Sequence, residues 1–177
     1  LPLNVQILPT GITLLFSLSC VLQEPGGSAT SNIAVQINSP PRFGLFAVSP
    51  DEEVELDFLF SFSCSRWIDE DLPLSYQFGF ISNVGNQVTL RSRLPVSFAE
   101  LMLPAGMRKR NYSVTNFAQI YDAFLSVTTV SYFVRVRPQD ITEVADLSDY
   151  VGESVLGGLT SNNVDTLKQT IASSSSL

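Results

Sequence analysis

The 177-residue sequence contains no histidine and only two cysteines. Without histidine, a Ser-His-Asp triad, a Cys-His dyad and a His-ligated zinc or haem are all excluded from it. Charged residues make up 15% of the chain and hydrophobic residues 45%, whereas ordinary domains are roughly 25% charged. This balance excludes a disordered chain. The net charge of −7 argues against the basic surface that nucleic-acid binding requires.

Long apolar runs are also absent. The best candidate, residues 12–18, alternates with polar residues and is much shorter than the ~20 residues of a membrane-spanning helix. We find no initiator methionine and no signal peptide, and because the chain begins within a strand-like pattern we expect it to be part of a larger protein. Two cysteines are too few for a disulfide scaffold, so Cys20 and Cys64 either form one bridge or remain small core residues.

What the sequence does contain is alternation with a period of two, which is typical of strands with one buried face. The alternating runs are residues 12–20, 33–37, 58–64, 76–80 and 130–136. Turn-forming residues separate them, at 24–27, 38–41, 71–73 and 84–86. Many short strands with frequent turns predict a mainly β fold of antiparallel sandwiches rather than alternating strands and helices.

An internal repeat indicates the domain organisation. Leu-Pro-x-Gly begins two alternating runs, at residues 8 and 103, and these end at Pro41 and Pro138. The repeat length matches one immunoglobulin-like or fibronectin type III-like sandwich of roughly 100 residues. We therefore expect residues 1–40 to be the last strands of a preceding sandwich and residues 41–138 to form a complete one. Adjacent prolines at 40 and 41 predict a stiff junction.

Residues 139–177 differ in character. Apolar residues between 141 and 159 follow the three-four spacing of a helix, and the glycines at 157 and 158 are a plausible helix end. Asn162 or Asn163 can cap a second helix, whose apolar stripe is Val164, Leu167 and Ile171. We expect two amphipathic helices that lead to the next domain.

Two acidic clusters stand out. Asp69, Glu70 and Asp71 either close a turn through bonds from backbone to side chain or supply oxygens to Ca²⁺, and no other cofactor is expected. Residues 51–57 carry five acids, which predict a solvated loop and strand edge.

A basic run lies next to a glycosylation signal. Arg108, Lys109 and Arg110 are either a solvated hairpin tip or an interaction patch for an anionic glycan or acidic partner. Asn111, in Asn-Tyr-Ser, is an acceptor for N-glycosylation. No phosphate-binding glycine loop, metal-spaced cysteine pair or Gly-x-Ser-x-Gly elbow is present, so we expect no catalytic residue and no enzyme activity.

Residues 60–76 carry a family resemblance. Their pattern, Phe-x-Phe-x-Cys-x-x-Trp-x-Asp-Glu-Asp-Leu-Pro-Leu-x-Tyr, is built around Cys64, Trp67, Pro73 and Tyr76. Together with the Pro-Pro and Val-Ser-Pro motifs upstream, it resembles the receptor-for-egg-jelly (REJ) module of polycystin-like receptors and sperm receptors for egg jelly. Three later segments are similar to further parts of that module: residues 111–122, 134–138 and 153–177.

The resemblance implies a membrane-protein ectodomain of tandem fibronectin-like sandwiches, followed by helices leading to a membrane-proximal, often autoproteolytic, domain. Family members occur on cilia, flagella and sperm, and some associate with polycystin cation channels. In many members a cysteine before the Val-Ser-Pro motif pairs with the cysteine before the tryptophan. Residues 44–47 of this chain contain no cysteine, so Cys64 lacks that partner.

These observations give one main hypothesis and two alternatives. The main one is a non-catalytic extracellular module of a large ciliary or flagellar surface protein, acting as a rigid stalk and partner-binding surface. Its partners would be other domains of the same chain and a polycystin-type channel or an extracellular filament protein, without nucleic acid. The alternatives are an accessory glycan-binding sandwich of a secreted enzyme and a microbial adhesin repeat.

Overall fold

The computed structural model describes residues 8–22, 26–55 and 58–139. Within these ranges the regular structure consists of β-strands and a single turn of 3₁₀ helix, so the prediction of a mainly β fold is confirmed. The predicted pair of helices in residues 139–177 lies outside the described residues, apart from Gln139. The chain divides into two compact units between Pro40 and Pro41.

The first unit contains an antiparallel hairpin of β1 (Thr13–Leu22) and β2 (Gly27–Gln36). Their register places apolar residues on one face, with Phe16 opposite Ile33. The other face is mostly polar, and there the hydroxyls of Ser19 and Thr30 lie 3.0 Å apart. This alternation explains the period-two pattern of both segments.

Within residues 41–55 and 58–139, the second unit has eight strands in two sheets. A five-stranded sheet has the order β4-β10-β9-β6-β7, and a three-stranded sheet has the order β3-β5-β8. The strands are β3 (Leu45–Ser49), β4 (Glu52–Val54), β5 (Phe60–Ser65), β6 (Ser75–Ile81), β7 (Gln87–Leu94), β8 (Phe98–Leu101), β9 (Ser113–Tyr121) and β10 (Val127–Arg137). All neighbours are antiparallel except β4 and β10, which are parallel.

Aromatic side chains fill the space between the two sheets. Phe62 of β5 and Phe78 of β6 are fully buried, with ring centroids 5.9 Å apart in an edge-on arrangement. The ring of Phe46, on β3, lies 6.3 Å from that of Phe78. Because these rings come from opposite sheets, they form a β-sandwich around one core. The strict alternation of buried and exposed residues along β5 follows from this packing.

Strand β9 is the central strand of the larger sheet, and its buried residues lie on the core-facing side except for Phe117. Asn116 points into the core, where its Oδ1 is buried without a partner among the described residues. Phe117 points to the opposite face and lies over Gly79 of β6, where an added Cβ would be 2.7 Å from its Cζ. A glycine at position 79 therefore makes room for the aromatic ring.

Candidate functional site

Three carboxylates converge at one end of the second unit. Asp69 and Asp71, in the loop that follows β5, and Asp122, directly after β9, place one oxygen each within 4.8 Å of one another. Asp122 is buried, and the other two are half-buried. The sequence predicted a cluster of Asp69, Glu70 and Asp71, but the structure brings Asp122 to the group and leaves Glu70 exposed.

Backbone hydrogen bonds hold this acidic cluster in place. The N–H of Asp71 donates to Asp69 Oδ1 at 2.8 Å, which is the turn-closing bond expected of an aspartate two residues earlier. The N–H of Ala123 donates to the carbonyl of Asp71 at 2.9 Å. Asp122 Oδ1 accepts from the N–H of Ser126 at 2.8 Å and so closes the turn between β9 and β10. The two loops are thereby tied together.

Mutual repulsion marks the electrostatics of the acidic cluster. Burial raises the pKa of Asp71, and the negative charges of Asp69, Asp122 and Glu70 raise it further. Either a proton or a cation would relieve this repulsion, and carboxylate oxygens are the ligands that Ca²⁺ prefers. Whether Ca²⁺ binds here stays a prediction.

The residues of the family pattern lie around the same end of the core. Trp67 is half-buried against the core and lies on Gly44, where an added Cβ would be 2.0 Å from the indole ring. Pro73 is exposed, and Tyr76 is half-buried. Burial raises the pKa of the Tyr76 hydroxyl, and the nearby Cys64 raises it further. These four residues are therefore placed where they shape the core and its loops.

Both cysteines are free, and their environments differ. Burial raises the pKa of the Cys64 thiol to about 12, and the neighbouring Trp67 acts in the opposite direction. Cys20 is exposed on the hairpin of the first unit. Phe46 lies directly opposite Cys64 on the neighbouring strand. An aromatic residue thus lies opposite Cys64 within the 44–47 segment, in whose neighbourhood the family resemblance implies a bridging cysteine.

The parallel pair of β4 and β10 carries a group of ion pairs. Glu52 binds both Arg135, at 2.5 Å, and Arg137. Partial burial acts to raise the pKa of Glu52, but the hydrogen bond from Arg137 and the charges of both arginines outweigh it and lower the pKa. Backbone bonds flank these pairs, since the N–H of Arg135 donates to the carbonyl of Asp51 at 2.8 Å.

Glu55 corrects the prediction that all the acids of residues 51–57 are solvated. It is only 1% exposed. Its Oε2 accepts from the N–H of Ala105 at 2.7 Å, and its Oε1 accepts from the N–H of Gln139 at 3.4 Å. Backbone donors thus replace water around this carboxylate, which is what allows it to be buried. Asp57 lies outside the described residues.

The basic run forms the 3₁₀ helix Arg108–Arg110, and all three side chains are exposed. Asn111 ends this helix in the left-handed conformation, with φ 54° and ψ 39°. It lines an open groove of about 390 Å³ together with residues of β4, β9, β10 and their neighbouring turns: Asp51, Glu52, Arg110, Ser113, Phe133, Val134 and Arg135. No sequence pattern indicates this groove, because the pairing of the strands creates it.

Over the described part of the chain, no helix has the length and apolar character needed to cross a membrane. A family model described as the REJ domain matches residues 3–173. The polycystin family receptor for egg jelly of Mus musculus is 27% identical over 146 residues, which cover 71% of this chain and 7% of that protein. No solved structure matches the chain.

Proposed function

The chain belongs to the REJ domain family, and from that membership we propose that it is a non-catalytic extracellular module of a large polycystin-like membrane receptor. In this role the sandwich is a stiff spacer that passes tension along the parent chain and presents its loops and faces to partners. The match to a mouse receptor of the polycystin family, of which the aligned part is 7%, supports a place within a much longer protein.

The parallel pairing of β4 with β10 is the structural observation that carries the mechanical part of the proposal. Tension enters the sandwich from the side of Pro41 and leaves it after Arg137, at the end of β10. Because β4 and β10 run in the same direction, this tension pulls them along their length in opposite senses. Their hydrogen bonds are then loaded together rather than one after another, and separating the strands requires breaking them at once. The ion pairs of Glu52 cross the same boundary.

The proposed partners are other domains of the same chain and a polycystin-type channel or an extracellular filament protein. The proposed location is the extracellular side of the plasma membrane or of the ciliary or flagellar membrane. The acidic surface and the exposed loops at the Asp122 end offer contact sites, because net charge and loop position decide which partners can approach.

Surface labelling of intact cells tests the location. An antibody raised against residues 41–139 is applied to cells that express the parent protein, before and after permeabilisation, with a tubulin antibody as the control for membrane integrity. We expect labelling of intact cells, concentrated on the cilium or flagellum. Labelling only after permeabilisation would overturn the extracellular proposal, and uniform surface labelling would overturn its ciliary part alone.

A further inference from the structure

We infer that Asn111 carries an N-linked glycan and that the first N-acetylglucosamine of this glycan packs on the ring of Phe133. The inference rests on the proposed function, because a chain receives such a glycan only when it enters the secretory pathway. The acceptor and the ring line the same groove. Three features support this assignment: a free acceptor, a fixed exit direction and an aromatic surface beside it.

The acceptor side chain is available for modification. Asn111 is exposed, and its side-chain amide has no hydrogen-bond partner among the described residues. In the transfer reaction, Nδ2 attacks the anomeric carbon of a polyprenyl-diphosphate-linked oligosaccharide. A C–N bond forms, the C–O bond to the diphosphate breaks, the lipid diphosphate leaves and Nδ2 gives up one proton. Ser113 supplies the hydroxyl that the acceptor sequence requires.

The backbone around Asn111 fixes the direction in which the sugar leaves. Its N–H donates to the carbonyl of Arg108 at 3.0 Å. The next residue, Tyr112, is also left-handed, with φ 58°. Tyr112 is held at both its backbone groups, since its N–H donates to Met107 and its carbonyl accepts from Val136. The turn therefore fixes the Cα–Cβ direction of Asn111, so that packing of the sugar costs freedom only in the side chain and the sugar itself.

Phe133 provides the surface on which the sugar packs. It is 63% exposed although its neighbour Val134 is buried, so its ring points away from the core on the outer face of β10. In the β9–β10 register it lies opposite Thr115, while Ser113 lies opposite Arg135. Phe133 is therefore a diagonal neighbour of Ser113, which is two residues after Asn111, and an aromatic side chain can span this distance.

The chemistry of the groove suits an amide-bearing sugar. The ring of Phe133 offers an apolar face to the C–H groups of the pyranose, and Arg110, Arg135 and Asp51 surround it with donors and acceptors for hydroxyl and acetamide groups. Two apolar residues among mostly charged and polar ones suit a ligand that is polar but has one apolar face, and about 390 Å³ lies in the common range of small-ligand sites.

Site occupancy is the first test. The full 177-residue chain is secreted from eukaryotic cells, and the peptide that contains Asn111 is examined by mass spectrometry. We expect a glycan on Asn111, its loss in Ser113→Ala and its retention in Ser113→Thr, which keeps the hydroxyl. A secreted chain with a bare Asn111 would overturn the inference and leave the proposed surface location standing. Surface labelling that fails in native cells would overturn the location independently of this result.

Packing on Phe133 is the second test. Endoglycosidase trimming leaves a single N-acetylglucosamine on Asn111. The thermal midpoint of this trimmed chain is expected to lie about 2–4 °C above that of the unglycosylated Ser113→Ala variant, which is the shift that one modest contact gives in a chain of this length. In the Phe133→Thr background the two forms should unfold at the same temperature, whereas Val127→Thr, on the same strand but distant from the groove, should preserve the difference. A glycan effect of equal size with and without the Phe133 ring would overturn the packing.

Discussion

At the scale of single residues, the environment of each thiol decides its reactivity. Thiolate is the nucleophilic form of cysteine, and burial raises the pKa of Cys64 to about 12. Cys64 is thus protonated at neutral pH as well as hidden from solvent. We predict that iodoacetamide modifies Cys20 alone in the native chain and both cysteines in denaturant, as counted by intact mass. Rapid modification of both in the native state would contradict the buried position of Cys64.

Asp71 is expected to oppose folding at neutral pH. Its pKa is raised above the ordinary 3.8, so the folded chain holds this proton more tightly than the unfolded chain does. Stability is then lost as pH rises from below the unfolded pKa through the raised folded pKa, and it stays reduced above. We predict that Asp71→Asn raises the urea midpoint at neutral pH and that the gain disappears below pH 3.8. A neutral or destabilising effect at pH 7 would contradict the repulsion.

Calcium should relieve the same repulsion if the acidic cluster binds it, which is one of the two roles that the sequence leaves open for Asp69 and Asp71. Millimolar CaCl₂ is then expected to raise the thermal midpoint of the wild-type chain but not of Asp71→Asn. Glu70→Gln is the matched control, because Glu70 is exposed and lies outside the cluster. An unchanged midpoint in the wild-type chain would show the predicted calcium site to be wrong. If Glu70→Gln removed the calcium effect as fully as Asp71→Asn does, Glu70 would have to be counted among the ligands.

At the scale of elements, Glu55 connects three segments that are distant in the sequence. Its carboxylate accepts from the backbone of Ala105 and Gln139, and its own N–H donates to Arg137. Glu55→Gln puts an NH₂ group against one of these donors, and a buried group left unpaired costs about 1–3 kcal/mol. We predict a loss of that size in the free energy of unfolding, measured in urea.

Glu53→Gln provides the control for Glu55. Glu53 lies two residues earlier and is half-exposed, so its substitution is expected to change stability by less than about 0.5 kcal/mol. Equal effects of the two variants would show that net charge, rather than the buried bonds of Glu55, governs stability in this segment.

The elements differ in how far the sequence could predict them. Strands β1, β2, β5, β6 and β10 alternate clearly and were anticipated from that period. In strand β9 the alternation of polarity is broken at its centre, where the polar Asn116 faces the core and Phe117 lies over Gly79 on the opposite face. Only the family resemblance pointed to it. Strand β4 has three residues, too few to form a pattern, and depends on pairing with β10.

The acidic cluster shows the same limit. Asp69 and Asp71 are neighbours in the sequence and were identified together. Asp122 is distant from them along the chain and joins them only because the turn after β9 lies against the loop after β5. The prediction that Glu55 is solvated was wrong because its partners are backbone N–H groups. Almost every residue has such a group, so the sequence does not show which ones will bind a carboxylate.

At the scale of the whole molecule, resistance to tension should depend on the parallel pair of β4 and β10. We predict that Glu52→Gln lowers the mean unfolding force of the chain pulled by its termini, because both arginine contacts cross the sheared boundary. Glu100→Gln, exposed on β8, is expected to leave the force unchanged. Equal unfolding forces for Glu52→Gln and Glu100→Gln would show that the ion pairs of Glu52 do not contribute to mechanical resistance.

The same contacts predict a dependence on pH. The pKa of Glu52 is lowered in the folded chain, so its contribution is present above the unfolded pKa and is lost as pH falls through the lowered folded value. The unfolding force of the wild-type chain should therefore decline in acid towards that of Glu52→Gln, while the variant changes less. A parallel decline of both would point to other carboxylates.

The close approach of Trp67 to Gly44 makes the residue allowed at position 44 depend on the residue 23 positions later. Any side chain at position 44 would meet the indole ring. A relative with a larger residue there must therefore have lost the tryptophan, and a relative that keeps the tryptophan must keep the glycine. An alignment of relatives should therefore show glycine at position 44 wherever tryptophan stands at position 67, even where the rest of both loops has diverged.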